Sequence, residues 1–177
     1  MVRAIIFLFP IILLCNGQSN EIKIGKEAPT FSLPTMEQHY VYLRDFCGET
    51  LRKPWKNKTK YVVVISFFAS WCAPCLKEIP HLQELKKEFA GKDIKFFLIN
   101  VGEEKDKVEE LLKTNPIELP ILLDRYTKIA EKYDALTLPR LFVIGKNGII
   151  RRQQKGFINE EDFVIEMRAI ISELLEE

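Results

Sequence analysis

The chain has 177 residues, enough for one well-buried domain and too few for two. Apolar residues make up 47% and charged residues 29%, which excludes a disordered chain and one built mainly of membrane spans. With 26 basic against 25 acidic residues there is no field to recruit nucleic acid.

The first residues differ from the rest. Arg3 precedes an apolar run, Ala4 to Leu14, followed by the small or polar stretch CNGQSN. A run this short falls well below the roughly 20 residues a bilayer demands. A positive start, a short apolar core and small residues after it predict a secretory signal over residues 1–17, with cleavage after Gly17. Cys15 leaves an uncleaved or lipid-anchored form as the alternative. Either way the remaining domain, 22–177, is expected to work outside the cytoplasm, where disulfides can form. Without Cys15 three cysteines remain, Cys47, Cys72 and Cys75, so they cannot form a fully paired framework.

From Glu21 to about Lys60 the chain is polar and broken by Pro29, Pro34 and Gly48, with short pieces (Thr30–Leu33, Tyr40–Leu43) that predict a small hairpin. The stretch Glu49–Lys60, with five basic residues around Trp55, reads as an insertion in a solvated loop. Tyr61–Phe68 is a continuous β-branched and aromatic run, as in a central strand covered on both faces. Ile79, Leu82, Leu85 and Phe89 then recur at helical spacing up to Gly91, and Ile94–Val101 is a second buried strand. Strand, helix, strand predicts a parallel βαβ unit.

A short helix around Val108, Leu111 and Leu112 ends at Asn115-Pro116. Leu119–Asp124 predicts a strand and Tyr126–Tyr133 a helix. Arg140–Ile144 and Gly148–Arg152 flank Lys146-Asn147 as an antiparallel hairpin. Asn159 caps a final helix whose acidic first turn (Glu160, Glu161, Asp162) suits the dipole, with an apolar stripe of Phe163, Met167, Ile170, Ile171 and Leu174. The fold class is α/β, three-layered, with a mixed central sheet and an N-terminal β-hairpin extension.

The chemistry centres on Cys72-Ala73-Pro74-Cys75, which directly follows the first buried strand. Pro74 suits the first turn of a helix, where its missing N–H would have no partner anyway. A thiol at a helix N-terminus faces unpaired N–H groups and the positive end of the dipole, which favour the thiolate. Cys75 lies about one turn deeper, within reach of a mixed disulfide on Cys72. Nucleophile outside and resolving thiol inside is the arrangement of thiol–disulfide exchange. Soft thiolates at this spacing could also hold Cu(I), which keeps copper delivery as the rival class. No second pair completes a zinc tetrahedron, and His39 and His81 read as ordinary surface or packing residues.

WCAPC after a strand resembles the active site of thioredoxin-fold oxidoreductases. GKEAPTFSL, VYLRDFCG, WCAPCLKEIP, LPILLD, YDALTLPRLFVIGKNGII and Gly156 resemble the TlpA/ResA-type branch, whose members reduce disulfides outside the cytoplasm. The resemblance covers nearly everything from Gly25 to the C-terminus. It implies a thioredoxin fold and an extracytoplasmic thiol–disulfide oxidoreductase, a protein-disulfide reductase in the periplasm or on the outer face of the cytoplasmic membrane. Cys72, Cys75 and Glu78 would be catalytic, with the redox-active disulfide as the only cofactor and no metal. Glu78 would lie on the helix face towards the strands, with burial raising its carboxyl so that it takes the Cys75 proton. Glu78, three residues after the second cysteine, matches a glutamate of that branch, whereas Ser66 stands where thioredoxin itself has a buried aspartate that helps move protons. Leu138-Pro139 matches a cis proline beside the disulfide, and Trp71, Pro74, Leu138 and Pro139 are the implied substrate-binding residues. The implied partners are disulfide-bearing proteins, with apocytochrome c a candidate through cytochrome c maturation, and a membrane thiol electron donor; a monomer is expected. A peroxiredoxin shares the fold but needs a Thr three residues before its reactive Cys, and counting back from Cys72 and Cys75 meets Ala69 and Cys72. Cys47 reads as a small buried thiol, with a third redox cysteine as the alternative.

Overall fold

The computed structural model describes residues 22–49, 59–157 and 159–177. The predicted signal (1–17) and most of the basic insertion (50–58) lie outside the described residues. Strands β1 (Ser32–Pro34) and β2 (Tyr40–Tyr42) pair as the antiparallel hairpin expected near the N-terminus. The chain then runs through β3 (Val62–Phe68), α1 (Ala73–Glu88), β4 (Ile94–Val101), α2 (Lys105–Thr114), β5 (Ile121–Asp124) and α3 (Lys128–Lys132). It finishes with β6 (Arg140–Ile144), β7 (Ile150–Lys155) and α4 (Glu160–Glu176).

The main sheet has the order β5-β4-β3-β6-β7. β3, β4 and β5 are parallel neighbours, whereas β6 runs antiparallel to β3 and to β7. The mixed sheet is as expected. All seven residues of β3 are buried, because β3 lies at the centre of the sheet and both of its faces are covered. Alternation along the strands divides the core in two. Val62, Val64 and Phe68 meet Ile79, Leu82 and Leu85 of α1 and Phe163, Met167, Ile171 and Leu174 of α4. Val63, Ile65 and Phe67 turn the other way, towards Ile129 and Ala130 of α3 and the N-terminal Phe31, Leu33 and Leu43. These are the three layers.

Several elements differ in extent from the sequence expectation, β1 for one lying at Ser32–Pro34 rather than Thr30–Leu33. β7 extends to Lys155 because its residues pair with β6 through their backbone while Arg151 to Gln154 are only half-buried, so no apolar pattern marks them. α3 shrinks to five residues after Thr127 adopts a positive φ of 58°. β5 begins at Ile121 rather than Leu119. The β6–β7 turn requires a glycine at 148, where φ is 84° and an added Cβ would sit 2.8 Å from the Cα of Gly48. In α4, Asn159 Oδ1 accepts from the N–H groups of Glu161 and Asp162, as its sequence position predicts.

Candidate active site

The site forms where β3 ends and α1 begins. Cys72 is the N-cap of α1, with extended backbone, and its sulfur accepts from the N–H of Cys75 at 3.3 Å. Cys72 and Cys75 are joined in a disulfide, with Cα atoms 5.3 Å apart. The sulfurs therefore lie at the positive end of a helix of 16 residues, where unpaired N–H groups stabilise a thiolate when the bond is reduced. In the disulfide both cysteines are buried, Cys72 at 4% exposure and Cys75 at 1%. The cap turns the Cys72 sulfur inward onto Cys75, and the exposed parts of the motif are Trp71, at 72%, together with Ala73 and Pro74.

Glu78 lies one turn beyond Cys75 on the buried side of α1, 1% exposed. Its Oε1 accepts a hydrogen bond from the hydroxyl of Ser66, on β3, at 2.6 Å. Burial in an apolar layer pushes its carboxyl up to about 7, against the pull of the Ser66 hydroxyl towards the charged form. Such a group can hold or release a proton near neutrality. The sequence expectation of a Glu78 carboxyl on the buried face, with burial raising its titration, agrees with this placement; its bond to Ser66 is new.

Leu138-Pro139 is cis, as expected. Pro139 is buried, and its carbonyl accepts from Gly156 N–H at 3.0 Å, which ties the turn before α4 to the loop before β6. Leu138 is half-buried and packs against both core layers.

A second carboxylate escaped the sequence reading. Glu103 accepts from the Ser70 N–H at 2.7 Å, the Ser70 hydroxyl at 2.5 Å and the side-chain amide of Asn100 at 2.6 Å. It thus anchors the loop that carries Trp71 and Cys72. The signal was available: parallel pairing sets Phe68 opposite Asn100, so the residues just past each strand must meet. Cys47 is not part of this site. It is buried in the layer on the opposite face of the sheet, unbonded to another sulfur, and burial pushes its thiol up to about 12. His39 is exposed, and His81 packs on Phe157 with ring centres 5.6 Å apart. Among the described residues no cluster of His, Cys, Asp and Glu could hold a metal ion, and no helix is long and apolar enough to cross a membrane.

Residues 24–153 match the model of the AhpC/TSA family. The chain belongs to the AhpC/TSA family. Within this family it is similar to the thiol-disulfide oxidoreductase ResA of Geobacillus kaustophilus, 28% identical over 86% of this chain and 81% of that one. It is also 28% identical to ResA of Bacillus subtilis, over 78% of this chain and 71% of the relative. Among solved structures, StoA from Bacillus subtilis superposes with a TM-score of 0.60 at 23% identity, covering 79% of this chain and 97% of that one. A thiol-disulfide oxidoreductase from Bacteroides fragilis gives 0.65 at 22% identity, covering 82% and 99%. At that identity the structures speak for the thioredoxin-like fold alone. The disulfide and the sequence relatives together make this AhpC/TSA member a thiol–disulfide oxidoreductase.

Proposed function

We propose that the protein is an exported reductase of protein disulfides. The observation that carries this is the Cys72–Cys75 disulfide at the start of α1, with the buried carboxyl of Glu78 one turn further along the same helix. In the reduced protein the Cys72 thiolate attacks one sulfur of a substrate disulfide. A mixed disulfide forms on Cys72 and the other substrate sulfur leaves as a thiolate, which takes a proton from solvent. Glu78 accepts the proton of the Cys75 thiol. The Cys75 thiolate then attacks the Cys72 sulfur, the Cys72–substrate bond breaks, and the second substrate thiolate leaves and is protonated in turn. Two electrons pass from the dithiol to the substrate, and a membrane thiol donor restores the dithiol.

Trp71 offers the substrate a broad apolar face beside the reacting sulfur. Pro74, Leu138 and Pro139 complete the proposed contact surface. Periplasmic or outer-face location follows from reading residues 1–17 as an export signal, and the resemblance to the TlpA/ResA branch supports apocytochrome c as a substrate to test first.

The roles of the two sulfurs are tested by trapping. Cys75→Ser should accumulate substrates as mixed disulfides on Cys72, and Cys72→Ser should accumulate none. Equal trapping by both variants would reverse or erase the assignment. The wild-type protein should turn over a disulfide with a dithiol reductant in metal-free buffer. Stoichiometric copper in the purified protein, with no exchange once it is stripped, would identify a carrier instead.

A further inference from the structure

Glu78 is held from one side only. Its Oε1 accepts from the Ser66 hydroxyl at 2.6 Å, while Oε2, buried with it, makes no hydrogen bond. Ser66 is the only polar residue in the seven of β3 and is 1% exposed. It points to the α1 side, between Val64 and Phe68. A hydroxyl in that place costs stability unless it is bonded. Leu98 and Leu141, its neighbours across the sheet, give it no side-chain partner. Its bond is to the carboxyl of the helix packed above it.

The carboxyl lies in the core layer on the α1 side of the sheet, which also holds Cys72 and Cys75. β4 turns Phe96 and Leu98 towards α1, β6 turns Leu141 and Val143, and α4 turns Phe163, Met167, Ile171 and Leu174. None of these titrates. Beyond β4, Glu103 is engaged by Ser70 and Asn100. On α1 itself His81 faces Glu84 and Glu160 at the surface. Arg168 on α4 is bonded to Glu88, and Glu166 to Arg152.

We propose that Ser66 is a positioning residue for the exchange reaction: by holding Oε1 of Glu78 it fixes the carboxyl and leaves Oε2 as the atom that takes up and returns the Cys75 proton. This rests on Glu78 being the proton acceptor. A hydroxyl can donate to Oε1 whether or not the other oxygen carries a proton, so the bond persists through the cycle and the proton has one place to go. The bond is stronger to the charged form, so it also counteracts the effect of burial and keeps the carboxyl usable as a base near neutral pH.

The test is the pH dependence of mixed-disulfide resolution, followed by stopped flow with the full reduced chain and glutathione disulfide. In Ser66→Ala the acid limb should move about one unit to higher pH, roughly a tenfold slower step at pH 6, with rates converging at alkaline pH. Ser66→Thr keeps the donor and should titrate as the wild type; a Thr variant displaced as far as the Ala variant would remove the hydroxyl from the explanation. A merely structural serine would give Ser66→Ala a lower Tm and an unmoved acid limb. That result, with Glu78→Gln altering the profile, would overturn the role of Ser66 and leave Glu78 in place. If Glu78→Gln and Ser66→Ala both overlay the wild type, the proton acceptor is not Glu78 and both assignments fall.

Discussion

Ser70 is bound twice by Glu103, through its backbone N–H at 2.7 Å and its hydroxyl at 2.5 Å, although 33 residues separate them. The contact links the end of β4 to the loop that presents Trp71 and Cys72. Glu103→Ala strips three donors of their acceptor and should cost about 2 kcal/mol, a fall of roughly 5 °C in Tm. Mixed-disulfide formation on Cys72 should slow as the loop loosens. Glu103→Gln should be nearly neutral, since its carbonyl can face the Ser70 N–H and Asn100 amide while its NH₂ donates to the Ser70 hydroxyl. Calorimetry and single-turnover kinetics on both variants decide this; equal damage from Gln and Ala would show that the charge, not the bonding pattern, matters.

The buried carboxyl of Glu78 makes stability depend on pH. Its folded value of about 7 lies above the ordinary 4.5, so between those values the native state holds a proton that the unfolded chain has lost. The associated stability is fully present below about pH 4.5 and is lost as pH rises through 7, amounting to about 3 kcal/mol. Glu78→Gln should flatten that part of the profile. Chemical denaturation of the oxidised protein at pH 4.5 and 8, in wild type and variant, measures the difference; parallel profiles would mean the carboxyl titrates normally.

Cys47 should be chemically silent. Its thiol is buried, and burial holds its titration at about 12, so little thiolate exists at pH 8. Alkylation of the reduced native protein, mapped by mass spectrometry, should label Cys72 well before Cys47, which reacts only after denaturation. Cys47→Ala should retain full exchange activity. Loss of turnover in that variant would restore the third-redox-cysteine reading.

Asp124 ends β5 and accepts from the N–H groups of Ile129 and Ala130 at 3.0 and 2.7 Å, which caps the short helix α3. Asp124→Ala leaves two donors unsatisfied at a buried site and should cost about 2 kcal/mol. Asp124→Asn, which keeps an acceptor oxygen, should recover most of it. Hydrogen exchange at Ile129 and Ala130 reports the loss locally; unchanged protection in the Ala variant would mean that the cap contributes little.

The sequence by itself determined the central strands, the helix after the cysteines and the chemistry of the pair. β3 and β4 are buried on both faces, so their apolar runs are nearly unbroken and their limits can be read directly. The Asn159 cap and the apolar stripe of α4 were legible for the same reason, since both are local patterns. What the tertiary structure decided is which polar groups meet. Ser66 and Glu78 are 12 residues apart on a strand and a helix, and only the packing of α1 on β3 sets hydroxyl against carboxyl. Glu103 reaches Ser70 because parallel register brings two strand ends together. Cys47 is excluded from the redox centre because the sheet lies between them, a separation that chain spacing does not encode. Local periodicity records burial; it carries no record of the partner a buried polar group finds across the core.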